Sequence, residues 1–117
     1  MHLNEIDYGN ARPIEGYGPG FFRIAGEVYQ GALLVTADET ESWGGFDDIA
    51  TLLTFAGQVD VLFIGNGPLM GPIPKAFRDS LEEAGIGIEP MATDAACRTF
   101  NVLLSEGRRV AAALLPM

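Results

Sequence analysis

The chain has 117 residues, 48% of them hydrophobic, and a mean hydropathy of +0.19, which is enough apolar material for one core and leaves no polar tract long enough for disorder. Its net charge of −9 argues against nucleic acid or an anionic membrane surface as a partner, since both need a basic patch. One cysteine excludes an intrachain disulfide, and no run approaches the roughly 20 apolar residues of a membrane span. The first residues carry Glu5 and Asp7 and no apolar signal region, so the expectation is one cytoplasmic domain over residues 1–117. Charge is uneven: residues 1–60 sum to −8 and residues 61–117 to −1, so an anion site would have to lie in the C-terminal half.

In chain order, residues 1–16 read as irregular, with a short strand around Ile6–Tyr8. Gly20–Ile24 and Glu27–Val35 are aromatic and β-branched runs flanking Ala25-Gly26, a hairpin signal, with Gly31 marking a bulge or a close backbone approach. Residues 36–45 are acidic and polar and read as a loop. Phe46, Ile49, Leu53 and Ala56 then define one helix face that Gly57 stops. Val59 to Ile64 is nearly continuous in apolar residues, as in a strand buried on both faces. Pro74 opens a helix with Phe77, Leu81 and Ala84 as its stripe, and Gly85 ends it. Ile86–Met91 is a further strand. Thr93 or Asp94 caps a helix to about Glu106 with Phe100, Leu103 and Leu104 inside, and Arg108–Leu115 is a last, alanine-rich strand. The alternation predicts a compact three-layer α/β domain with a mixed central sheet and right-handed crossovers.

Two strand-to-helix junctions could lie side by side at the carboxyl ends of a parallel sheet, where α/β folds place ligands. One is Gly65-Asn66-Gly67-Pro68. It departs from a dinucleotide fingerprint, because the third glycine is displaced and Pro68, Pro72 and Pro74 remove amide donors. The other is Thr93-Asp94-Ala95-Ala96-Cys97-Arg98, where helix amides and Arg98 would attract an anion and lower the Cys97 pKa. Against this, the lone histidine is His2, so Cys97 lacks an obvious base and reads more simply as a small buried hydrophobe. Asp94 or Glu89 would serve as a protein partner for Arg98. Arg23 shares a strand face with Phe21, opposite Phe22 and Ile24, and is a second cation for the same site or a solvated arginine. Asp47-Asp48 and Glu82-Glu83 read as solvated helix faces. One His and one Cys cannot build the usual zinc shell, and no cofactor is expected.

The segments Tyr17–Gly26, Tyr29–Val35, Leu62–Gly67, Met91–Leu104 and Arg109–Pro116 together resemble the Mth938-domain family, also called DUF498. The resemblance implies a small α/β domain with a mixed sheet. It also implies kinship with the complex I assembly factor 3 type, associated with building the respiratory NADH:ubiquinone oxidoreductase. It supplies no catalytic residues. Arg23, Gly65, Gly67, Thr93, Cys97, Arg98 and Asn101 are carried over only as members of a patterned cleft, and Asn66 stands where Gly-Thr-Gly turns of the family place a hydroxyl. The leading expectation is a non-enzymatic interaction or accessory factor, with respiratory-complex subunits as partners by resemblance. A homodimer through the hairpin edge is a further expectation. The rival is a small-molecule or anion site in the cleft between the 65–67 turn and the 93–98 helix start, and a redox role for Cys97 is a third reading.

Overall fold

The computed structural model describes residues 9–69 and 71–117. The expected strand at Ile6–Tyr8 lies outside the described residues. The elements run β1 (Ile14–Gly18), β2 (Phe21–Ile24), β3 (Glu27–Gln30), β4 (Leu33–Thr36), β5 (Thr40–Ser42), a 3₁₀ turn (Gly45–Asp47), α1 (Ile49–Leu53), β6 (Val61–Asn66), α2 (Lys75–Glu83), β7 (Ile88–Met91), α3 (Thr93–Ser105) and β8 (Val110–Leu115). β1, β2 and β3 form an antiparallel sheet, and a five-stranded mixed sheet has the order β5-β4-β8-β6-β7. In it β8 pairs antiparallel with β4 and parallel with β6, and β7 pairs parallel with β6.

β8 is the central strand because it is alanine-rich. Small side chains on both faces let helices approach a sheet closely. Ala112 and Leu114 face a core with Phe22, Ile24, Cys97 and Phe100, which the three-stranded sheet and α3 supply. Ala111 and Ala113 face a second core with Leu52, Leu62, Phe77 and Leu81, covered by α1 and α2. The three layers are thus α3 with the small sheet, the five-stranded sheet, and the α1–α2 pair. The crossovers through α2 and α3 run in opposite directions along the sheet and on opposite faces, so they share one hand.

Five expectations differ from the observed elements. The run 27–35 is two strands, because Gly31 takes φ +83° and turns the chain from the small sheet to the large one. The hairpin itself is β2–β3, closed by Ala25 and Gly26 at φ +52° and +80°, a two-residue turn whose twist suits paired strands. The polar segment 36–45 contains β5, which pairs with β4 through Leu33–Ser42, Leu34–Glu41 and Val35–Thr40. The helix expected from Phe46 reaches only Ile49–Leu53, because Asp48 caps it: its carboxylate accepts from Thr51 N–H (3.3 Å) and from the Thr51 hydroxyl (2.9 Å). Asp48 is therefore a cap and not a merely solvated acid. β1, read as irregular, pairs with β2 across the Gly18–Gly20 turn.

Candidate functional site

The end of β6 and the start of α3 meet through one side chain. The Thr93 hydroxyl donates to the Leu115 carbonyl (2.7 Å) and accepts from Gly67 N–H (2.8 Å). Thr93 N–H in turn donates to the Gly67 carbonyl (2.8 Å). Three chain segments are joined at a residue with no exposed surface. Thr93 is consequently not the helix cap expected: Ala92 precedes the helix, and the hydroxyl is used across the sheet. Gly65 is required by the same approach. A Cβ there would stand 2.9 Å from Thr93 Oγ1 and 3.0 Å from Thr93 Cα. Gly67 takes φ +88°, the left-handed region that glycine adopts without penalty. Asn66 turns back on its own loop, its Nδ2 lying 3.5 Å from the Pro72 carbonyl.

The remaining residues of the expected cleft are also held by protein. Cys97 is 2% exposed in the α3 core, and burial pushes its thiol up to about 12, with Asp94 adding to the rise and Arg98 opposing it. The helix-start effect expected to favour thiolate is outweighed by desolvation, so the geometry gives Cys97 the character of an inert core thiol. Asn101 makes a two-point clamp: its Oδ1 accepts from Ile14 N–H and its Nδ2 donates to the Ile14 carbonyl, each at 2.8 Å. It acts as a strand partner for β1, and sequence spacing gave no sign of this. Arg98 points outward from the second turn of α3, with Nη1 3.6 Å from Asp94 Oδ2 and 3.4 Å from the Tyr17 hydroxyl oxygen. Arg23 is not brought to Arg98. Tyr17 pairs with buried Phe22, so it lies on the α3 side of the small sheet, whereas Arg23 pairs with Gly16 and exposed Val28 on the other side.

The two turns are therefore adjacent, as the strand-end argument requires, but their contact is filled by Thr93. The amides of Gly67 and Thr93, which an anion would use, already have protein acceptors. Open volume occurs at other places. One cavity of about 720 Å³ lies beside the β7 edge, lined by Pro72, Ile73, Ile88 and Glu89. Another, of about 460 Å³, opens at the opposite end of the large sheet, between the β4–β5 turn and the segment leading into β8. Its lining includes Asp38 and Glu39 from the β4–β5 turn and Arg108 and Arg109 from the segment leading into β8. Among the described residues no group of three His, Cys, Asp or Glu side chains is placed to hold a metal ion, and no helix is long and apolar enough to cross a membrane.

Residues 14–115 match the family model described as "Protein of unknown function (DUF498/DUF598)". An uncharacterized protein of Rhodobacter capsulatus is 55% identical over 117 residues, covering all of this chain and 94% of its own. The NADH dehydrogenase [ubiquinone] 1 alpha subcomplex assembly factor 3 of Danio rerio is 33% identical over 110 residues, covering 88% of this chain; the chain spans 63% of that factor's length. Among solved structures, an outer membrane protein from Bartonella henselae superposes with a TM-score of 0.82 at 36% identity, covering 92% of this chain and 96% of its own. A Mth938-like domain of Bordetella pertussis gives 0.78 at 25% identity, covering 99% and 92%.

Proposed function

Since the chain belongs to the DUF498/DUF598 family, with the Mth938-like fold, we propose that it is a non-enzymatic interaction factor in the assembly of the respiratory NADH:ubiquinone oxidoreductase. The observation that carries this reading is the 33% identity to an assembly factor across 88% of this chain. The family match over residues 14–115 takes in both sheets and all three helices, so the likeness is of a whole framework rather than of one loop. The site geometry supports it in a second way. Thr93, Asn101 and Gly65, the motif positions with the clearest physical roles, join elements to one another and present no reactive group. A framework fixed in this manner suits the display of a surface to a partner.

The test is affinity purification of the tagged chain from native cells under mild solubilisation, with the co-purifying proteins identified by mass spectrometry. Enrichment of subunits or intermediates of the NADH-oxidising complex over an untagged control supports the reading. Recovery of the chain without any of them counts against it.

A further inference from the structure

The cavity at the start of β8 is lined by side chains of both charges and by an apolar floor. Phe55, Leu104 and Val110 supply the floor. The acidic wall is the β4–β5 turn, which its own hydrogen bonds hold: Glu39 N–H donates to Thr36 Oγ1 (3.1 Å), and the Thr36 hydroxyl donates to Asp38 Oδ1 (3.2 Å). That leaves the Glu39 carboxylate without a hydrogen bond or ion pair among the described residues. The basic wall is held likewise. Arg109 pairs with Asp60 at 2.8 Å, Asp60 N–H donates to the Arg109 carbonyl (2.7 Å), and Arg108 N–H donates to the Leu103 carbonyl (3.0 Å). The Arg108 guanidinium has no ion pair among the described residues. The two segments thus line one space of about 460 Å³, and each brings to it a charged side chain with no ion pair of its own, although Arg108 lies near enough to help hold the Asp60 carboxyl below its usual range. The volume is within the range of small-ligand sites, roughly 300–1,000 Å³.

We propose that this cavity binds an elongated zwitterion with an apolar body, its carboxylate at Arg108 and its ammonium at Glu39. A sphere of that volume is about 10 Å across, and three residues of extended chain span about 10 Å. A short apolar peptide with both ends free meets the requirement, as does a long ω-amino acid. The apolar body displaces water from the floor, while the two end charges fix direction. A ligand with one charge leaves the opposite wall unanswered, so the site selects for both.

The experiment is an NMR titration of the full chain with trialanine, its N-acetylated form, its C-amidated form, and aminooctanoate. Trialanine is expected to shift the backbone amides of Glu39 and Arg108, and blocking either end to weaken binding by about fivefold, the size of one partly exposed charge pair. Arg108→Ala should abolish the difference between free and amidated peptide, and Glu39→Gln that between free and acetylated peptide. Both side chains are exposed, so neither change threatens the fold. Tighter binding of trialanine than of aminooctanoate assigns the peptide as source, and the reverse assigns the ω-amino acid. Absence of shifts at the highest soluble peptide concentration overturns the proposal, as does equal binding of free and blocked peptides.

Discussion

Thr93 is fully buried, and its hydroxyl is saturated by one donor and one acceptor from segments far apart in sequence. Replacing it by valine keeps the shape and leaves the buried Gly67 N–H and the partly buried Leu115 carbonyl without this partner. Leaving buried polar groups unpaired costs about 1–3 kcal/mol each, so Thr93→Val is expected to lose about 3 kcal/mol in denaturant unfolding, and Thr93→Ser much less. Equal losses for the two variants would show that volume, not the hydroxyl, matters there. Cys97 makes a second prediction. Its thiol titrates higher in the folded protein than the ordinary value of 9.0, up to about 12, because burial opposes the thiolate. The folded state therefore holds this proton more tightly. The associated stability is fully present below pH 9 and is lost as pH rises toward 12. Cys97→Ala should show a shallower alkaline decline than the parent chain over that window. Folded protein at neutral pH should also resist iodoacetamide until denaturant is added. Fast alkylation of the native thiol would contradict the burial argument.

At the level of elements, the Asn101 amide ties the start of β1 to α3, beside the Arg98–Tyr17 contact and the packing of Ile14. Asn101→Ala removes both bonds to Ile14, so amide exchange at Ile14 should accelerate well beyond that in β2, whose strands hold it on both sides. Unchanged protection at Ile14 would mean that β2 alone secures β1. Gly65→Ala tests the approach of α3 to β6: the added carbon meets backbone at 3.0 Å, and overpacking of this kind costs about 1–3 kcal/mol. The same elements show what the sequence could and could not reveal. The helices α2 and α3 were legible from the stripes Phe77, Leu81 and Ala84 and Phe100, Leu103 and Leu104, of which Phe77, Leu81, Phe100 and Leu104 are buried, Leu103 is half-buried and Ala84, at the frayed end of α2, is exposed, and their glycine stops were plain. The strand β6 was legible from its unbroken apolar run. The strand β1 was not, because Gly16 and Gly18 interrupt it and its stability comes from Asn101, 87 positions away from Ile14. Likewise β5 has no apolar face of its own and exists by pairing with β4. The adjacency of the 65–67 turn and the start of α3 followed from strand order. That Thr93 would fill the gap did not, since a threonine at a helix start reads locally as a cap. The Glu39–Arg108 cavity joins a hairpin turn to a strand entry at the opposite end of the sheet, a juxtaposition that no local spacing announces.

Across the whole molecule, two cores back onto one central strand, so β8 is shared by both helical layers. The charge adds a second global property: a chain of net −9 repels anionic surfaces, and its contacts with protein partners should be selective in sign. Both fit a body that partners recognise from outside. The most direct measurement is the amount of assembled NADH:ubiquinone oxidoreductase, by native gel and NADH-driven quinone reduction, in native cells from which the gene for this chain has been deleted. Assembled complex is expected to fall and subassemblies to accumulate, with restoration by the intact chain. Full assembly and undiminished activity in the deletion strain would contradict it.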